Sequence, residues 1–182
     1  ELCNGRDDDC DSLVDEETDD AAGLGVVDDM VFIGWHVPAF YIYRHEASRP
    51  DATANSAGIS SSRACGRPGV LPWTSLNFAD AYDACLLAGK RLCRPDEWLA
   101  ACAGSAGLSY PYASAYDPNA CNGSDYDADS VAPGNQDFTI PTGAATTCVS
   151  PDGVYDMSGN AKEWTDDLRG TAGMPPREVY GV

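Results

Sequence analysis

The chain has 182 residues, 29 of them acidic against 11 basic, for a formal net charge of −18. A surface this negative repels phosphate backbones and anionic membranes, which excludes nucleic acid and membrane surfaces as partners and points to bound cations, calcium first. Eight scattered cysteines, an even number without CxxC pairs, predict disulfides and an oxidising compartment rather than a zinc site.

Residues 1–20 hold ten acidic residues and almost nothing apolar. Such a stretch builds no core, so only a disulfide and a metal could order it. The absence of an initiator Met and of a signal peptide reads Glu1 as the start of a mature, processed or trimmed chain. No apolar run approaches the length of a membrane span, so no membrane insertion is expected. A Gly-containing joint over 21–29 leads to two strand-like runs, Met30 to Ile33 and Ala39 to Tyr43. Residues 49–69 are rich in Ser, Ala, Gly and Pro and read as loop.

A helix follows, with Thr74 or Ser75 as cap and Gly89 at its end. Phe78, Ala81, Tyr82, Cys85 and Leu86 recur at helical spacing and predict its buried face. A second, shorter helix starts at Pro95, carries Asp96 and Glu97 in its first turn, and stops near Gly104. Residues 105–151 are turn-rich, and short strands return around Val154-Tyr155 and Glu163-Trp164. The order predicts an α+β domain over 21–182, preceded by a calcium loop over 1–20.

The N-terminal stretch reads ELCNGRDDDCDSLVDEE. Alternate carboxylates Asp7, Asp9 and Asp11 on a curled backbone can converge on one hard cation, which takes six to eight oxygens. Asp15 closes the loop, Asn4 adds a side-chain oxygen, and Glu16 stands in reserve. Cys3 and Cys10 bracket the loop and can close a small ring. The stretch is similar to thrombospondin type 3 calcium loops, with Ser12 where Gly is usual. It also resembles the cysteine-containing metal-binding repeat of bacterial surface proteins.

Residues 121–130, CNGSDYDADS, repeat the pattern and offer Asn122, Asp125, Asp127 and Asp129 as a third site. Here Ala128 replaces the second cysteine and Pro133 the closing acid. Either this copy binds calcium with help from elsewhere, or its carboxylates face solvent. Asn122-Gly123-Ser124 is also a glycosylation sequon.

Five pieces carry a further likeness: Pro72-Trp73, Gly89-Lys90-Arg91-Leu92, Glu97-Trp98, Tyr110-Pro111-Tyr112 and Gly159-Asn160-x-x-Glu163-Trp164. In this order, over about residues 30–168, the chain resembles the formylglycine-generating enzyme family, the sulfatase-modifying factor group. The resemblance implies a loop-rich variant of the C-type lectin fold with structural calcium. It implies ligands from the side chains of Asp156 and Glu163 and the carbonyls of Gly159 and Ala161, with Lys162 replacing a common aromatic. A second family calcium site falls near Asn122.

The family's oxidases bind copper through two cysteines in their final third, beyond the place where this sequence stops. Here the last cysteine is Cys148, so that catalytic pair is not present. His36 and His45 are isolated and suggest packing or surface roles rather than a catalytic arrangement. Cys85 and Cys102 match family positions whose disulfide partners lie in a C-terminal segment. Read from the residues alone, Cys65, Cys85, Cys93 and Cys102 allow three pairings, while Cys121 and Cys148 complete the set of eight. The resemblance implies an incomplete chain, whose closing strands are cleaved or supplied by another chain, leaving a sheet edge open.

The resulting expectation is an extracellular, cell-surface or periplasmic domain, stabilised by two calcium ions and disulfides, that binds or assembles without catalysis. Its partner would be a protein, its own missing segment or a glycan. The alternative is a fragment of a copper-dependent oxidase, with copper held beyond residue 182.

Overall fold

The computed structural model describes residues 28–126, 138–166 and 179–180. The expectations placed on Cys3, Asn4, Asp7, Asp9, Cys10, Asp11, Asp15, Glu16, Asp127 and Asp129 lie outside these residues. The architecture is α+β and loop-rich, and no helix among the described residues is long and apolar enough to cross a membrane.

Strand β1 (Met30–Ile33) pairs antiparallel with β2 (Phe40–Tyr43), Val31 opposite Ile42 and Phe32 opposite Tyr41. Alternation decides the faces: Val31, Ile33, Phe40 and Ile42 turn inward, while Phe32 and Tyr41 stay exposed and pack ring to ring at 4.9 Å. The buried four meet Ala101, Val154 and Met157 in the main core, with Trp98 against its edge. Burying each large side chain contributes about 1.5–3 kcal/mol. Two short pairs complete the regular backbone, β3 (Ala47–Ser48) with β4 (Cys65–Gly66), and β5 (Glu163–Trp164) with β6 (Val179–Tyr180).

Helix α1 spans Phe78–Leu87. Its cap is Asn77, whose Oδ1 accepts the Asp80 N–H at 3.0 Å, and not Thr74 or Ser75. Its buried residues are Phe78, Ala81 and Ala84; Tyr82 and Leu86 are exposed. The apolar face is thus narrower than the periodicity predicts, because one side of the helix has no element packed on it among the described residues.

Helix α2 spans Pro95–Ala103 and ends on Gly104 at φ 62°, as its sequence predicts. Glu97 in its first turn is fully buried. It accepts the Arg94 N–H at 2.9 Å and a two-pronged bond from Arg91 at 2.7 and 2.6 Å. Burial works against its charge, but these bonds outweigh it and hold the carboxyl below its usual range. The Gly-Lys-Arg-Leu and Glu-Trp pieces of sequence are therefore one structural joint.

Six cysteines sharpen or correct the disulfide expectations. Cys121 and Cys148 pair with each other, and Cys65 is itself disulfide-bonded. Cys85, Cys93 and Cys102 are free thiols, so the pairings drawn among them and Cys65 do not form. Cys102 on α2 turns its Sγ toward the Met157 carbonyl, whereas Cys85 on α1 and Cys93 before α2 line a cavity of about 400 Å3. Burial pushes their thiols up, Cys85 and Cys102 to about 11 and Cys93 to about 12.

Candidate metal centre

The segment Asp156 to Glu163 is a tight turn that needs left-handed backbone at its start and its middle. Asp156 sits at φ 55°, Gly159 at 87° and Asn160 at 63°. Asp and Asn tolerate this region better than other side chains. Gly159 is required twice over, since a Cβ there would meet the Asn122 carbonyl oxygen at 2.5 Å.

That close approach draws residues 121–123 onto the turn. The Asn160 N–H donates to the Asn122 carbonyl at 2.8 Å. The Asn122 amide donates in return to Asn160 Oδ1 at 2.9 Å and to the Phe138 carbonyl at 3.0 Å. Asn160 Oδ1 also accepts the Ile140 N–H at 2.8 Å, while its amide donates to the Ile140 carbonyl and to Glu46. Asn160 is thus the hub that joins three loops and the segment after β2. The amide nitrogen of Asn122 thus serves two acceptors in the fold.

Three acids gather around this hub. Glu46, buried between β2 and β3, accepts the Ala161 N–H at 2.8 Å in addition to the Asn160 amide. Asp156 is buried and accepts the Gly143 N–H at 2.6 Å. Glu163 accepts the indole N–H of Trp98. Burial raises all three carboxyls: Asp156 to about 6, Glu163 to about 8, and Glu46 well above its ordinary value, with mutual repulsion adding to the last two. No basic side chain among the described residues offsets this. Buried carboxylates without a cation must take up protons, or else gain an ion from outside.

The donors suit a hard cation. Asp156 and Glu163 each have one oxygen engaged by an N–H and a second to give, and the carbonyls of Gly159 and Ala161 belong to the same turn. Among the described residues no trio of His, Cys, Asp or Glu side chains is placed to share a metal. A cation here would combine two carboxylates with backbone oxygens, which is calcium chemistry rather than zinc or copper chemistry.

A comparison with protein-family models matches residues 36–179 to the sulfatase-modifying factor enzyme 1-like domain. The chain belongs to this family. A comparison with curated proteins found no match. The matched range contains the Asn160 hub, all three acids and every free thiol of the described residues.

The remaining expected site residues are dispersed. Asp125 accepts the Tyr116 hydroxyl at 2.8 Å and stays exposed, away from the partners of Asn122. His36 lies against the Pro38 carbonyl and Asp96, and His45 stacks on Tyr155 at 5.0 Å, both packing roles. Glu46 is the site residue that sequence reading missed. It is one acid in Arg44-His45-Glu46, with no spacing that links it to residues more than a hundred positions away.

Proposed function

We propose that this domain is a calcium-stabilised, disulfide-linked binding or structural module that acts outside the cytoplasm and performs no catalysis. The observation that carries the reading is the half-buried turn at Asp156 to Glu163, with Asp156 itself buried. Its acids lack a cationic partner among the described residues, and its donors are all hard oxygens. Asp156, Glu163 and the carbonyls of Gly159 and Ala161 would hold the ion, within a loop-rich variant of the C-type lectin fold. The bound ion would supply positive charge and geometric closure. The residues around it orient the donors: Gly143 and Trp98 each fix one carboxylate oxygen, and Asn160 locks the turn to residues 122 and 140.

The Cys121–Cys148 disulfide supports an oxidising location. Catalysis by the described thiols themselves is disfavoured, because burial holds Cys85, Cys93 and Cys102 neutral, a poor state for a nucleophile or a copper ligand. The N-terminal acidic loop, with Asp7, Asp9, Asp11 and Asp15, would take a second calcium ion. Assembly with other protein subunits would use surfaces away from the turn. Elemental analysis of the purified, dialysed chain tests the reading: calcium at one or more equivalents is expected, whereas copper without calcium would replace it with the oxidase alternative.

A further inference from the structure

The surface above the Cys121–Cys148 disulfide carries a chemistry that calcium binding does not use. Tyr110 stacks on Tyr112 with ring centres 5.7 Å apart and leans against Tyr116 at 5.5 Å and 51°. Hydrogen bonds fix the rings. The Tyr112 hydroxyl accepts the Asp117 N–H at 3.0 Å and donates to the Asp117 carbonyl at 3.2 Å. The Tyr116 hydroxyl donates to the Asp125 carboxylate at 2.8 Å. Tyr112 is packed on the cluster of Cys121, Ile140, Ala145 and Cys148, so the rings stand on a floor tied by a disulfide. Tyr116 is nevertheless 55% exposed.

Charge selects what such a platform would take. Between Arg94 and Lys162 the sequence has nine acidic residues and no Lys, Arg or His. Arg94 and Arg91 pair with two of them, Asp96 and Glu97, but from Asp117 to Asp137 the sequence has five acidic residues and no basic one. The face of a phenol ring is itself negative, and donation from its hydroxyl to a carboxylate makes the ring richer in electrons. Among the described residues Asp125 has one hydrogen-bond partner, the Tyr116 hydroxyl, so its other oxygen can accept from a ligand.

We propose that Tyr110, Tyr112 and Tyr116, with Asp125 at the rim, form a docking surface for an arginine side chain of a partner protein. A guanidinium is planar, stacks on an aromatic face, and keeps N–H groups at its edge for a carboxylate. A phosphate or an acidic peptide is repelled, and a neutral sugar could use the rings but gains nothing from the negative field. Long-range attraction to the acidic region would speed the encounter, and the rings would supply the selectivity. The inference is independent of metal binding at the Asp156 to Glu163 turn.

The test uses the full chain in calcium-containing buffer at physiological ionic strength, with a fluorescein-labelled peptide of alternating Arg and Gly as the probe. Fluorescence anisotropy gives its Kd for the parent and for Tyr110→Leu, Tyr116→Leu and Tyr82→Leu, the last on α1 as a distant control. None of these changes the charge, so a general acidic attraction survives all three. Tyr110→Leu and Tyr116→Leu are each expected to weaken binding by about fivefold or more, and Tyr82→Leu to leave it unchanged. Asp125→Asn should weaken it as well. Failure of the parent to bind, or equal binding by the ring variants and the parent, would overturn the proposal. So would loss of affinity for a neutral oligosaccharide, and not for the arginine peptide, in the ring variants.

Discussion

Replacing Asn160 measures how much the fold depends on the hub at the centre of the acidic turn. Its side chain makes four hydrogen bonds, to Glu46, Asn122 and both backbone groups of Ile140. Asn160→Gly removes all four and keeps the backbone at ease, because glycine accepts φ 63° without cost. Each group left without a partner costs about 1–3 kcal/mol when water cannot reach it. Partial exposure of the site and local relaxation reduce the sum to about 3 kcal/mol. For a domain of this size that lowers Tm by about 6–12 °C.

Asn160→Ala should lose about 1 kcal/mol more, the cost of a Cβ in the left-handed region. Asn160→Asp keeps the acceptor toward Asn122 and Ile140 but sets a carboxylate against Glu46, and it should fall at least as far as the glycine variant at neutral pH. Thermal unfolding followed by circular dichroism reads all three, with the exposed Asn119→Ala as a control expected to stay within about 0.5 kcal/mol of the parent. If Asn160→Gly melted within a degree or two of the parent, the hub would be a surface contact and the reasoning from it would fail.

Further outcomes follow from the same geometry. Gly159→Ala should destabilise by roughly 3 kcal/mol or more in thermal unfolding, since its Cβ would meet the Asn122 carbonyl oxygen at 2.5 Å and its φ is 87°. Replacing both Cys121 and Cys148 with Ser opens a cross-link that spans 27 residues and should cost roughly 3 kcal/mol in chemical denaturation. With calcium chelated, the pH dependence has a fixed sign. Asp156 and Glu163 rise from 3.8 and 4.5 to about 6 and about 8. At these two groups the folded state holds more protons than the unfolded one, so their contribution to stability is full below pH about 4 and is lost as pH climbs through about 8. Saturating calcium should flatten or reverse that slope; a chelated protein that gained stability from pH 5 to pH 8 would contradict the assignment.

How much of this was legible in the sequence depends on the range of each interaction. β1, α2 and the Gly104 stop were read correctly because alternation, a Pro-Asp-Glu first turn and a terminal glycine are local signals. The cap of α1 was misplaced by two or three residues because Thr74, Ser75 and Asn77 are all competent caps, and packing against Trp164 and Leu92 decides among them. Its exposed Tyr82 and Leu86 show the limit of periodicity, which marks an apolar face but not whether anything covers it.

At the candidate site, Asp156, Gly159, Ala161 and Glu163 were named through the family resemblance, which their place in one short run makes easy to align. Glu46 and the Asn160 hub could not, since their contacts span more than a hundred residues and leave no spacing behind. The cysteines failed for the same reason. Eight thiols allow many pairings, and only the folded chain brings Cys121 to Cys148 while leaving Cys85, Cys93 and Cys102 as free thiols. The repeated C-N-G pattern was informative in an unforeseen way. Its second copy serves the turn through Asn122, while Asp125 belongs to the tyrosine surface.

The central claim is that the Asp156 to Glu163 turn holds calcium, and one measurement addresses it directly: the Tm of the chelator-stripped chain titrated with calcium, for the parent and for Asp156→Asn/Glu163→Gln. A ligand that binds only the folded state adds about 2.7 kcal/mol at a hundred times its Kd, so the parent Tm should climb steadily with added calcium. The double variant should lose most of that climb, retaining only what the N-terminal loop contributes. A parent whose Tm ignores calcium, or a variant that responds as strongly as the parent, would contradict the account.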